Sequence, residues 1–285
     1  MGDVPNDQTP HEIPARVAMM LKPLAHRLVL HRRGSTVWQV HTGRGEYAVK
    51  LGYPIKATAE WEGQEWTARA PAREGVVLDD LGVQAVHGVW EHGTWNVQPW
   101  HPGESLYDRW KPHRTGEATT EPDLRDALAC AETLADLHSN GWAHGDVQPA
   151  HFILGPTSAA LIDLALAHGG RIPEACDFPF RGCLVHYEAP EISRSVLDTG
   201  EALPSPQADS YALGASLFIS ATGWRAVAYP DDAPRAEQRK AVVDSPHRPI
   251  NVPGILGKLI EQMLSPAPDD RPTPAEVCDA LRAEL

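Results

Sequence analysis

The sequence predicts an α+β fold, with an antiparallel sheet early in the chain and a mainly helical remainder. Three observations predict it. The runs Leu28-Val29-Leu30-His31, Thr36-Val37-Trp38-Gln39-Val40 and Tyr47-Ala48-Val49-Lys50 are divided by Arg33-Gly34 and by Thr42-Gly43-Arg44-Gly45, the pattern of a meander. The clearest helical periodicity comes later, over residues 124–140. Beyond it, Phe152-Ile153-Leu154 and Ala160-Leu161-Ile162 have the length of buried strands, and Gly155-Pro156-Thr157-Ser158 reads as the turn of a hairpin. A chain of 285 residues suits one large domain or two lobes.

Taken in order, residues 1–14 carry prolines and no apolar periodicity, which predicts a flexible leader. Val17, Met20, Leu21 and Leu24 recur at helical spacing and predict a short opening helix before the meander. Residues 57–70 are helical in composition. Val76-Val77-Leu78 and Thr94-Trp95-Asn96-Val97-Gln98 read as further strands, completing a five-stranded first lobe. Residues 111–122 form a polar insertion without periodicity, predicted to be a surface loop available to a partner. In 124–140, Leu128, Ala131, Leu134, Ala135 and His138 fall on one stripe, and Asn140-Gly141 supplies a C-cap.

A net charge of −13 and a pI near 5.5 argue against a nucleic-acid or membrane-surface binder, while leaving room for a small nucleotide. Cys130, Cys176, Cys183 and Cys278 have no Cys-x-x-Cys spacing, so neither a zinc site nor a disulfide framework is indicated. The 14 histidines are scattered. No apolar run reaches membrane-spanning length and the start is polar, so a cytoplasmic protein is expected.

The chemistry concentrates between His144 and Asp163. Asp146 and Asp163 stand on loops beside the two apolar runs, an arrangement that holds two carboxylates near one edge of a small sheet. Phosphoryl transfer needs such a pair: one carboxylate near the attacking hydroxyl, another on the metal that neutralises the phosphates.

His144-Gly145-Asp146 and Ile162-Asp163-Leu164-Ala165 resemble the catalytic loop and the Asp-Phe-Gly metal site of the protein-kinase-like superfamily. Tyr47-Ala48-Val49-Lys50 resembles the Val-Ala-Ile-Lys strand, and Tyr187-Glu188-Ala189-Pro190-Glu191 the Ala-Pro-Glu end of an activation segment. Asp209-Ser210-Tyr211-Ala212-Leu213-Gly214 resembles the helix whose Asp supports the catalytic loop, and Asp270-Arg271-Pro272-Thr273 the late arginine. The resemblance runs from Leu28 to Leu281 and implies a bilobal kinase-like fold. Residues 1–27 would be leader and short helix, 28–98 the first lobe, and 99–285 the hinge and second lobe. It implies ATP with Mg²⁺ or Mn²⁺. Asp146 becomes the base, with Gln148 beside it where Ser/Thr kinases carry a Lys. Lys50 becomes the phosphate clamp, and Asp163 and His151 the metal ligands. Gly34 and Ser35 fall in the phosphate-covering loop, and Gln98 and Trp100 at the adenine edge. Glu60, Glu62 and Glu65 all qualify to pair with Lys50, with Glu65 at the more comfortable separation. Glu191, Asp209 and Arg271 become structural.

The departures define the alternatives. His151 replaces the second metal-ligand Asn, a softer donor that suits Mn²⁺ better than Mg²⁺. One glycine stands where the covering loop has three, and Ala165 replaces the last glycine of Asp-Phe-Gly. Gly145 replaces the arginine that binds an activation-loop phosphate in many regulated kinases, so activity is expected without that phosphorylation. The leading expectation is a Ser/Thr kinase. The second is a pseudokinase that binds a peptide or partner and activates another enzyme. The third, a small-molecule phosphotransferase, shares His-Gly-Asp but not the later Ala-Pro-Glu and Asp-Arg-Pro elements. Nearly bare of other domains, the chain is similar to kinase components of lanthipeptide-type pathways, where a lyase partner eliminates the phosphate from a precursor peptide.

Overall fold

The computed structural model describes residues 10–57, 63–156 and 158–285. Among these are ten α-helices, a five-stranded antiparallel sheet and a smaller three-stranded one, so the chain is α+β. It divides into two compact units, Met1–Trp100 with Gly170–Phe178, and His101–Gly169 with Pro179–Leu285. None of the described helices is long and apolar enough to cross a membrane.

The first unit contains α1 (Ala15–Leu21), β1 (Ala25–Arg32), β2 (Ser35–Thr42), β3 (Gly45–Gly52), α2 (Ala70–Asp80), β4 (Val86–Trp90) and β5 (Gly93–Pro99). Strand order is β1-β2-β3-β5-β4. Two-residue alternation places Val40, Val49, Leu51, Trp95 and Val97 in one buried cluster, which Val17 of α1 completes. Two expectations need correction here. Val76-Val77-Leu78 is not a strand but the end of α2, and the fifth strand is β4. Pro71 in the first turn gives the physical reason: its fixed φ starts a helix, and the apolar triplet then buries Val77 and Leu78 on one helical face. The helix expected over 57–70 is the other correction. Residues 58–62 lie outside the described residues, Trp66–Ala68 is a single 3₁₀ turn, and the α-helix begins only at Ala70.

Helix α2 packs closely. A Cβ on Gly75 would stand 2.6 Å from the His87 side chain on β4. The segment Gly170–Phe178 belongs to this unit through α2: Arg69 Nη1 donates to the Asp177 carbonyl at 3.0 Å, and Arg73 lies 3.4 Å from the Asp177 carboxylate and over the Phe178 ring.

The second unit begins with β6 (Glu104–Ser105), α3 (Leu106–Arg109), α4 (Lys111–Arg114) and α5 (Leu124–Ser139). After the hairpin β7 (Phe152–Leu154) and β8 (Ala159–Leu161) come α6 (Pro190–Thr199), α7 (Pro206–Thr222), α8 (Arg235–Asp244), α9 (Gly254–Met263) and α10 (Pro274–Arg282). The expected polar loop at 111–122 thus opens with a turn of helix. Helix α5 is capped by the Asp123 side chain and buries Ala127, Cys130, Ala131, Leu134 and Leu137. The stripe is rotated from the expected one, leaving Leu128, Ala135 and His138 half-buried, because α5 is covered by both α10 and α7. Helix α7 is buried along most of its length.

Beside the apolar cluster of Val185, Val227 and Val242, His186 stacks on Tyr229 and shares a 2.7 Å hydrogen bond with its hydroxyl. Burial, with the Arg225 charge adding to it, pushes the imidazole down to about 4. An unfolded chain takes up this proton near pH 6.5, whereas the folded one resists it. The His186 contribution is therefore intact above pH 6.5 and is lost as pH falls towards 4. The melting temperature should drop between pH 7.5 and 5, with a shallower drop for His186→Gln; an unchanged slope in that variant would refute the assignment.

Candidate active site

In the first unit, β3 presents Lys50 on the face of the sheet that α2 covers. Lys50 Nζ donates to Glu74 Oε1 at 2.7 Å, and Asn96 Nδ2 on β5 donates to Glu74 Oε2 at 2.9 Å. Both oxygens of a carboxylate that is only 1% exposed are thereby occupied, which is what makes its burial tolerable. Gln98 extends the network to Asn96 at 3.4 Å and is itself buried. The Lys50 partner is a correction. Glu65 is exposed and lies ahead of the 3₁₀ turn, and Glu60 and Glu62 lie outside the described residues, whereas Glu74 makes the ion pair. Trp100 continues the ladder by donating its N–H to the Glu46 carbonyl at 3.0 Å.

The expected phosphate-covering loop takes the form of a tight two-residue turn. Arg33 and Gly34 both have positive φ, +50° and +74°, as a primed hairpin turn requires, while Arg32 pairs with Ser35 and His31 with Thr36. Gly34 sits under the Tyr53 carbonyl and the Thr67 side chain, where a Cβ would approach within 2.6 Å. The packing of the turn alone accounts for this glycine.

In the second unit, Asp209 organises the loop that carries Asp146. Its carboxylate accepts from the backbone N–H groups of His144 and Gly145 at 2.6 and 3.0 Å and from His138 Nε2 at 3.0 Å. His144 donates through Nε2 to the Ile162 carbonyl and accepts the Asp146 N–H at Nδ1, which fixes its tautomer and ties the loop to β8. Gln148 Nε2 donates to Asp146 Oδ2 at 3.0 Å, while Asp146 Oδ1 is buried without a hydrogen-bond partner among the described residues. Desolvation, reinforced by the neighbouring Asp163 charge and opposed by Gln148, holds the Asp146 carboxyl well above the usual carboxylate range.

His151 joins the two aspartates. Its Nδ1 lies 2.9 Å from the Asp146 carbonyl, which can only accept, so Nδ1 carries the hydrogen. Nε2 then points at Asp163 Oδ2, 3.4 Å away. A protonated imidazole makes this contact an ion pair, and a neutral one can share a cation with the carboxylate. An N–H donated from the other ring nitrogen to a carbonyl is the usual way of aiming a ligating imidazole. Asp163 itself has left-handed backbone, φ 69° and ψ 58°, a conformation that Asp tolerates better than most residues and that is found at functional sites. No group of three or more His, Cys, Asp or Glu among the described residues could hold a metal. The two donors suit an ion that takes its remaining ligands from phosphate and water, as Mg²⁺ and Mn²⁺ do.

Further out, Arg271 forms a bidentate pair with Glu191 at 2.7 and 2.8 Å, and its remaining donors reach the carbonyls of Ser265, Gln207 and Pro266. A second buried pair joins Arg239 to Glu188, which also accepts from Cys183 N–H and Ser193 Oγ. Sequence reasoning missed Glu74, Asn96, Glu188 and Arg239. For Glu74 the available signal was Pro71 three residues earlier, a helix start. Compared with protein-family models and with curated proteins, the chain matches none.

Proposed function

We propose that the chain is an ATP-dependent phosphotransferase of the protein-kinase-like superfamily, with a bilobal kinase fold, acting on Ser or Thr hydroxyls of a peptide. The observation that carries this reading is the cluster of Asp146, Gln148 and His151, on the chain that follows the backbone Asp209 clamps, with Asp163 brought to His151 by the β7–β8 hairpin. Asp146 accepts the hydroxyl proton. Gln148 orients its carboxylate. Lys50, held by Glu74, clamps phosphate oxygens, and backbone groups at Gln98 and Trp100 meet the adenine edge. Asp163 and His151 hold Mg²⁺ or Mn²⁺, which supplies charge neutralisation on the phosphates. In this reading the acceptor is a precursor peptide, and a lyase partner removes the phosphate.

Isothermal calorimetry tests the reading. ATP should bind only with Mg²⁺ or Mn²⁺, and more tightly with Mn²⁺. Absence of binding with either metal would refute it. Glu74→Gln should weaken that binding roughly tenfold by loosening Lys50, and Glu65→Gln should leave it unchanged; equal effects would refute the role of Glu74. The pseudokinase reading is favoured by one feature, the tight Arg33-Gly34 turn, which lacks the three glycines that let a loop approach phosphates closely.

A further inference from the structure

The second unit is acidic overall, yet one part of it collects cations on aromatic rings. Arg114 lies 3.5 Å over Tyr107, Arg225 4.3 Å over Tyr229, and Arg248 5.0 Å over Trp224. The stacks are neighbours. Gly223 abuts the Arg114 carbonyl closely enough to exclude a Cβ, and Arg248 N–H donates to the Ala226 carbonyl at 2.7 Å. Trp224 is 60% exposed and Tyr107 41%, both high for large rings in a folded chain. Helix α4 adds Lys111 to the same end.

Arg225 is paired with Asp231, with exposed Asp232 beside it, and Arg114 donates to the Tyr107 carbonyl. Arg248 is different. Among the described residues it makes no ion pair, and its buried Nε has no hydrogen-bond partner. A guanidinium carries five N–H donors, and those left unpaired suit a carboxylate. Three stacks in a row exceed what one small anion uses and match an extended chain with several acidic side chains.

We propose that this ridge binds an acidic polypeptide segment, whose Asp or Glu carboxylates accept from Arg248 and Arg114 while its backbone lies across Trp224 and Tyr107. This binding does not rest on the phosphotransferase reading.

Fluorescence anisotropy with the full chain tests the proposal. The probes are a labelled peptide of Asp, Glu, Ser and Gly and its counterpart with Lys in place of each acid. The acidic peptide should bind and the Lys peptide should not, with affinity falling as salt rises. Arg248→Gln and Arg114→Gln should each weaken binding about tenfold, with melting temperature and ATP affinity unchanged; Arg248→Lys should recover only part. Equal binding of the two peptides, or indifference to both substitutions, would overturn the proposal. So would an oligonucleotide of matched charge binding as tightly as the acidic peptide. Acid-selective binding in a chain that fails to bind ATP upholds the ridge and removes the phosphotransferase reading alone.

Discussion

Asp163→Asn is expected to reduce phosphoryl transfer by roughly 10³-fold or more, with loss of metal-dependent ATP binding in the calorimeter. The substitution keeps the size of the side chain and removes the charge that His151 Nε2 faces at 3.4 Å. Only an Asp163 that bears on the metal predicts a loss confined to the metal-dependent part of binding, with the melting temperature little changed. A companion substitution sharpens the test. His151→Asn replaces an imidazole by an amide oxygen, a harder donor, and should move preference from Mn²⁺ towards Mg²⁺. Asp146→Asn should leave ATP binding intact and lower turnover by about 10²–10⁴-fold, as loss of a general base does. If Asp163→Asn binds ATP with the same metal dependence as the parent, Asp163 is not a metal ligand and the phosphotransferase reading fails with it.

Local chemistry was legible where a few neighbouring residues carry it. The apolar runs around Asp146 and Asp163 mark the small hairpin, and glycine-centred turns mark β1 to β3, since turn chemistry and two-residue alternation act within a handful of positions. What stayed hidden was long-range pairing outside the motifs read in the sequence. Glu74 meets Lys50 across 24 positions, and three apolar residues in a row just after it disguise the helix that carries it. β4 was obscured for a related reason: Gly88 interrupts its alternation, yet a Cβ there would strike the Trp95 ring, so the glycine belongs to the packing of two strands. At the covering loop, a single glycine suited either phosphate approach or a primed turn, and only the contacts with Tyr53 and Thr67 distinguish them.

The Glu188–Arg239 pair carries the largest expected effect on stability. Glu188 is 2% exposed and accepts four hydrogen bonds: two from Arg239, one from Cys183 N–H and one from Ser193 Oγ. Arg239, 7% exposed, also donates to the Arg181 carbonyl at 3.1 Å, so the pair anchors the segment before α6 onto α8. Gly182 lies so close that a Cβ would collide with both charged groups, leaving little room for water to enter in compensation. Glu188→Ala therefore strands a buried guanidinium and should cost about 3–5 kcal/mol in urea denaturation. Replacing both residues by Leu and Met removes the two charges together and should cost much less than the two single changes combined. A single substitution costing under about 1 kcal/mol would show that the pair is no better than an exposed one. A double variant costing the full sum would show that the two residues act independently. Coupling between them instead identifies a buried clamp that holds the segment before α6 onto α8.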